Sequence, residues 1–330
     1  MRRGGTIREF CPACQGDSDS WPDRKAKAAK GAIVGILNIN KPLGITSHDV
    51  VDRVRRASGI RRVGHAGTLD PAASGVLLVC LGQATRVSEY LMEGRKKYDA
   101  HIRLGISTDS GDSEGKVTYE AEEVNATRGQ IQQTLSLFLG QIEQIPPMHS
   151  ALKHKGTALY KLARQGIEVE RIPRLVEIYD LQLTDWTPPL LRVTVECSRG
   201  TYIRSLARDF GEKLGTGAHL QSLVRLASGS FTLDRAITLS TVEESFVTGY
   251  WPQVLHRLDE ALLDYEAVIV DEETEKKIRQ GQWVKGSNPL SSALCRAYSS
   301  SGKFIALLDY DRQKETWRPR KVFNLNESNT

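Results

Sequence analysis

Gly64-His65-Ala66-Gly67-Thr68-Leu69-Asp70-Pro71 runs through Ala72-Ala73-Ser74-Gly75 into the apolar stretch Val76-Leu77-Leu78-Val79-Cys80-Leu81. Glycine and proline punctuate the first part, and the last part has the length and composition of a buried strand. One carboxylate, Asp70, is thereby placed in a loop at the edge of a sheet, where a side chain is both exposed and fixed. An Asp before Pro is most often only a turn former. Its surroundings raise the case for a catalytic role. His65 lies in the same loop, and Arg53, Arg55, Arg56, Arg61 and Arg62 precede it. A lone acid behind so basic a segment faces a polyanion rather than a metal or a second carboxylate.

Upstream, Ile33 to Ile39 reads as a strand, and Lys41-Pro42-Leu43-Gly44 as a turn. Ser47 is a good N-cap for a helix with Val50, Val51 and Val54 on one face and Gly59 at its end. Downstream come a short helix through Val87 and Leu91, a strand from Tyr98 to Leu104, and an amphipathic helix marked by Ile131, Leu135, Phe138 and Leu139. Residues 141–157 read as irregular. Strands follow near 175–184 and 190–197, then a helix with Ile203, Leu206, Ala207, Phe210 and Leu214 facing inward, ended by Gly215. Beyond Asp264 short β-rich runs (Ala267 to Val270, Leu294 to Tyr298, Lys303 to Leu308, Lys321 to Leu325) surround one helix near 272–279, as in a small barrel-like module. The expected organisation is a disordered basic extension over 1–31, a main domain over 32–263 and a small β-rich domain over 264–330.

The chain has 330 residues, 40% hydrophobic and 26% charged, the make-up of an ordinary globular protein. Its net charge of +5 suits an anionic partner. No apolar run approaches the ~18 residues of a membrane span, and no apolar core of a secretory signal is visible, so a cytoplasmic location is expected. Of the five cysteines, Cys80 and Cys197 fit core positions. Cys11-Pro-Ala-Cys14 lacks the second ligand pair of a structural zinc site, so no metal is expected there. Neither a phosphate-binding Gly-rich motif nor a metalloprotease motif occurs, so the chemistry is expected to need no cofactor.

Three further constellations bear on chemistry. Arg199-Gly200-Thr201-Tyr202-Ile203-Arg204 sits between a strand and a helix, where the helix N-terminus and the arginines favour an anion. Lys96-Lys97-Tyr98 combines cations with an aromatic, the make-up of a base-stacking platform, although a strand tyrosine is more often a packing residue. Lys153, His154, Lys155, Lys161 and Arg164, with Arg171 and Arg174, form a basic region able to track a nucleic-acid backbone.

Taken in order, these blocks resemble the bacterial TruB-type tRNA pseudouridine synthases. The likeness is carried by Asn40-Lys41-Pro42, Gly64 to Pro71, Gly82-Gln83-Ala84-Thr85-Arg86 and Lys97-Tyr98. It continues through Leu104-Gly105, Thr108-Asp109, Gln144-Ile145-Pro146-Pro147 with Ser150-Ala151, Leu162-Ala163-Arg164 and Cys197 to Arg204. The resemblance implies an α+β fold with a mixed, largely antiparallel central sheet flanked by helices, and a C-terminal PUA-like barrel. It implies isomerisation of uridine 55 in the TΨC loop of tRNA, without cofactor. Asp70 would be the essential carboxylate, acting as nucleophile or as base at the ribose, and Arg204 would pair with it. Tyr98 would stack on the flipped base, and Tyr202 would be a wall and proton acceptor. Leu223 would be the apolar side of the pocket, and His65 would fill the gap left in the RNA stack. Lys41, Arg86, Lys153, Arg164 and Arg225 would contact the RNA backbone, and the C-terminal domain the acceptor arm. No membrane and no obligate protein partner are implied. A non-catalytic RNA-binding or tRNA-folding protein on the same scaffold is the alternative. The chain departs from the family pattern at Ala66, Arg86, Met148-His149 and Val224.

Overall fold

The computed structural model describes residues 33–150, 152–286 and 293–325. The extension expected over residues 1–31, with Cys11 and Cys14, lies outside them. The fold is α+β, and its centre is the apolar run next to Asp70. This strand, β3 (Ala73–Leu81), is buried along almost its whole length and pairs antiparallel with β1 (Gly35–Lys41) on one edge. Its other edge is divided. The first residues, Ala73 to Gly75, pair in parallel with Leu223 to Arg225 of β8 (Ala218–Ser228), whereas Leu78 to Leu81 pair antiparallel with β2 (Val63–Ala66). The Asp70 loop connects β2 to β3 where β3 exchanges one partner for the other.

Beyond β8 the sheet continues antiparallel through β4 (Lys96–Leu104), β7 (Leu190–Cys197), β6 (Arg174–Thr187) and β5 (Gly140–Gln144). The sheet is therefore mixed and largely antiparallel. Strict alternation along β4 puts Tyr98, Ala100, Ile102 and Leu104 on the covered face and Lys97 on the other. Helix α2 (Ser88–Glu93) precedes β4, and helices α3 (Arg128–Ser136) and α4 (Ile203–Leu214) pack on that covered face through Ile131, Leu135, Leu206 and Phe210. Gly215, at φ 78°, ends α4 as expected.

Helix α1 (Ser47–Ser58) is capped one residue earlier than the sequence suggests. Thr46 accepts from the Asp49 amide at 3.0 Å, and the Asp49 carboxylate accepts from the Thr46 amide at 2.8 Å, a reciprocal capping box. Ser47 is the first helical residue, and its hydroxyl serves another purpose described below.

A second sheet of five strands, curled into the small half-barrel expected of a PUA-like domain, begins at Glu266 and includes Leu294–Ser299, Phe304–Asp311 and Thr316–Val322. Helix Glu272–Arg279 packs on it through the fully buried Ile278. The last strand starts five residues before the expected Lys321. Its pairing includes Pro319 opposite Leu308, next to a register shift, where a missing amide proton is tolerated. One apolar cluster joins the two sheets: Ile36, Val76, Leu78 and Cys80 share it with Phe304, Leu307 and Phe323.

Candidate active site

The Asp70 loop is clamped from three sides. From α1, Ser47 Oγ accepts the Leu69 amide at 2.8 Å and donates to the Leu69 carbonyl at 2.9 Å, so one hydroxyl fixes both polar groups of the residue before Asp70. From the turn after β1, the Gly44 amide donates to the Pro71 carbonyl at 2.9 Å. That turn is itself pinned by Lys41, whose Nζ donates to the carbonyls of Pro42 and Ile45, each at 2.8 Å. From β8, Arg225 donates to Val76 O at 2.6 Å, Thr68 O at 3.3 Å and Gly67 O at 3.2 Å, bracing strand and loop together. Such close approach requires Gly75. Its φ is 103°, and a Cβ there would lie 2.3 Å from the Arg225 carbonyl oxygen.

Asp70 projects from this clamp with 41% of its side chain exposed. Arg204, from the first turn of α4 and only 6% exposed, places its Nη2 2.9 Å from Asp70 Oδ2. The guanidinium is held in turn by the carbonyls of His149 at 2.7 Å and Ser110 at 3.3 Å, and lies 3.5 Å from Asp112 Oδ2. A fixed cation therefore faces a carboxylate that solvent reaches. The start of α4 is set by Gln144, a buried residue of β5. Its side-chain amide donates to the Tyr202 carbonyl at 3.0 Å and accepts from the Tyr202 amide at 2.8 Å. This pairing stands in for a side-chain cap, since Tyr202 makes no capping bond of its own.

Asp70, Tyr98, Tyr202, Arg204 and Leu223 line one open cavity of about 690 Å³, with Ser150, Arg174 and Arg225 also on its wall. Tyr98 and Leu223 are almost fully buried on neighbouring strands, β4 and β8. Burial pushes both phenols up. For Tyr98 this outweighs the Arg225 charge. For Tyr202 it outweighs the opposing pull of Ser150, Arg174 and Arg204. The arrangement offers a carboxylate with a matched cation, two phenols and an apolar wall, which suits a planar polar ring with a reactive carbon held near Asp70.

His65 is on strand β2, opposite Val79, rather than in the loop, and is outside the lining of this cavity. Its Nδ1 is buried without a partner, and burial, followed by the Arg225 and His48 charges, lowers its pKa, so the ring is neutral at pH 7.

The sequence pattern described as "TruB family pseudouridylate synthase (N terminal domain)" matches residues 55–203, and that of the "tRNA pseudouridylate synthase B C-terminal domain" matches residues 204–270. A curated relative from Dehalococcoides mccartyi, named tRNA pseudouridine synthase B, is 48% identical over 88% of this chain and 96% of its own. The chain belongs to the TruB family of pseudouridylate synthases. A second relative of the same name, from Clostridium acetobutylicum, is 42% identical over 83% of this chain and 94% of its own. Among solved structures, one of a Cbf5-Nop10-Gar1 complex matches with a TM-score of 0.69 at 26% identity, covering 88% of this chain and 85% of that one. Another, of an archaeal box H/ACA sRNP Nop10-Cbf5 complex, shares the fold, with a TM-score of 0.68 at 23% identity over 90% and 88% of the two chains.

Three of the residues expected at the RNA backbone make their bonds within the protein. Lys41 is fully buried and Arg225 is 1% exposed, and both are committed to backbone carbonyls of the clamp. Arg86 turns to the second sheet instead, donating to Val322 O at 2.6 Å with its guanidinium 4.8 Å from the Phe323 ring centre. Lys321 completes this joint by bonding to the Arg86 carbonyl and Glu89. Lys96 lines the same cavity as Tyr98, with its ammonium held on backbone carbonyls. It is buried, with Nζ bonded to the carbonyls of Leu91, Met92 and Gly94. Lys153 and Arg164 are exposed. Asp112 belongs to the site although it carries no local signal, and the parts that Ser47, Gln144 and Ser150 play there come only from what folding places beside them. Among the described residues, no helix is long and apolar enough to cross a membrane.

Proposed function

We propose that this protein isomerises uridine 55 in the TΨC loop of tRNA to pseudouridine, with Asp70 as the essential carboxylate. The observation that carries the reading is the half-exposed Asp70 paired with the buried Arg204 at the mouth of a cavity walled by Tyr98, Tyr202 and Leu223. A uridine stacked in the tRNA elbow hides its glycosidic bond, so the base leaves the stack and enters this cavity. Tyr98 lies against one face of the ring and Leu223 supplies the apolar side. Neutral His65 fills the space left in the RNA.

Asp70 acts at the ribose: as nucleophile it bonds to C1′ as the C1′–N1 bond breaks and is released when C5 attacks C1′, or as base it takes the C2′ proton as that bond breaks and returns it when C5 joins C1′. The uracil turns, and C1′ joins C5. C5 then loses its proton to Tyr202, which passes it to solvent, while N1 gains one from solvent. The sum is an isomerisation with no net oxidation, and every group it uses belongs to the protein, the RNA or water. Arg204 holds the carboxylate in place through the cycle. Lys153 and Arg164 track phosphates of the RNA, and the second sheet reaches the acceptor arm. The cytoplasm is the compartment in which this tRNA work takes place, and neither a membrane nor an obligate protein partner is involved.

The test is release of tritium from tRNA carrying uridine labelled at C5, using purified protein and no added cofactor. Release by the wild type and its loss in Asp70→Asn is the expected pair. Absence of release by the wild type overturns the reading and leaves RNA binding or folding as the activity of this scaffold.

A further inference from the structure

One hydroxyl in the cavity wall has no partner. Ser150 is 5% exposed, and its Oγ makes no hydrogen bond, although its backbone is fixed by bonds from its amide to Met148 O at 2.9 Å and from the Tyr160 amide to its carbonyl at 3.1 Å. A hydroxyl buried and unpaired is costly, and folding normally removes such groups or satisfies them. Ser150 nevertheless stands on the same wall as Asp70, Tyr202 and Arg204. The group within its reach across the wall is the Tyr202 phenol, toward which a hydrogen bond from Ser150 would favour the ionised form against the larger effect of burial. The other charges facing that phenol come from separate elements. Arg174 of β6 and Arg204 of α4 act in the same sense as Ser150, and Asp70 acts in the opposite sense. Tyr98 and Arg225 close the cavity from β4 and β8.

We propose that Ser150 is a positioning residue for Tyr202: once the base is bound, its Oγ–H donates to the phenol oxygen, orienting Tyr202 and stabilising the phenolate that takes the proton from C5. The phenolate becomes a phenol as C5 loses its proton, and solvent exchange restores it, so atoms and charge balance. This inference rests on the isomerase reading and adds a residue outside the direct contacts to the base. It also accounts for a buried, unpaired hydroxyl in the cavity wall.

The experiment compares wild type, Ser150→Ala and Ser150→Thr as full-length proteins. It follows single-turnover tritium release from 5-tritiated tRNA between about pH 6 and pH 10, with tRNA affinity and thermal melting measured in parallel. Ser150→Ala is expected to slow release about tenfold at neutral pH, the effect of losing one hydrogen bond to a charged group. Its rate should climb with pH about one unit later than that of the wild type, because the phenol loses a stabilising donor. Ser150→Thr, which keeps the hydroxyl, is expected to restore the position of the rise, and tRNA affinity should stay unchanged. The position of the rise in Ser150→Ala decides the matter. If it does not move, whether the rate is unchanged or uniformly lower, Ser150 does not act through Tyr202 and the proposal fails. Failure of the wild type to release tritium at any pH instead points to the underlying functional reading.

Discussion

The cations beneath the Asp70 loop and those on the segment that follows Ser150 are alike in sequence and opposite in placement. Lys41 and Arg225 are sealed inside, each bonded to backbone carbonyls that build the loop. Lys153, Lys161 and Arg164 stand exposed on short elements with little core beneath them. Basic residues near a nucleic-acid site thus divide into two kinds of work. A buried cation with several carbonyl acceptors holds the geometry of the carboxylate. An exposed cation supplies attraction that depends on salt and tolerates change. Each kind fails in its own way when altered, and that is how the distinction is tested.

The largest expected effect lies at the residue the clamp exists to hold. Asp70→Asn should lower the rate of tritium release by about a thousandfold or more, while tRNA affinity stays close to wild type. A comparable fall in affinity would move Asp70 from chemistry to binding. Next comes the clamp. Arg225→Met leaves the carbonyls of Val76, Thr68 and Gly67 without a donor in a buried site, and should cost about 3 kcal/mol of unfolding free energy in a denaturant titration. A change within about 0.5 kcal/mol would place Arg225 with the surface cations instead.

Lys41 gives a smaller effect with a definite sign. Burial pushes its ammonium down to about 8 in the folded protein, with the Asp70 charge opposing, against an ordinary value of 10.5. Between these values the unfolded chain binds more protons than the folded one, so this residue makes stability rise with pH across that window. Below it both states are protonated and the contribution is flat. Subtracting the pH-stability curve of Lys41→Met from that of the wild type should therefore leave a rise between about 8 and 10.5. A flat difference would show that the buried ammonium titrates normally. The smallest effect belongs to the exposed set. Lys153→Glu and Arg164→Glu should each weaken tRNA binding several-fold and reduce the salt slope by roughly 0.7–0.9 for each phosphate no longer neutralised, with melting unchanged. A drop in melting temperature would transfer them to the structural kind.

Much of this division was hidden in the sequence for a physical reason. Patterns of apolar spacing and glycine are local, and they located α4 with its Gly215 stop, the helix at 272–279 and the loop that carries Asp70. The partner of a polar side chain is not local. Ser47 reads as the cap, yet Thr46 takes that place, and only Leu69, brought alongside in space, shows what Ser47 does for the loop. Lys41 and Arg225 look like phosphate contacts until burial shows them facing carbonyls. His65 reads as a loop residue because Gly64 and Gly67 flank it, yet pairing with β3 makes it part of a strand. Gln144 carries the one amide that meets both backbone groups of Tyr202, which no spacing rule contains.

The central claim is that a clamped, half-exposed Asp70 converts one uridine of tRNA. Its most direct test is to map pseudouridine by sequence position in unmodified tRNA after incubation with wild type or with Asp70→Asn. Conversion at uridine 55 by the wild type and none by the variant is the predicted result. Equal conversion by both proteins, or conversion at another position alone, would contradict it.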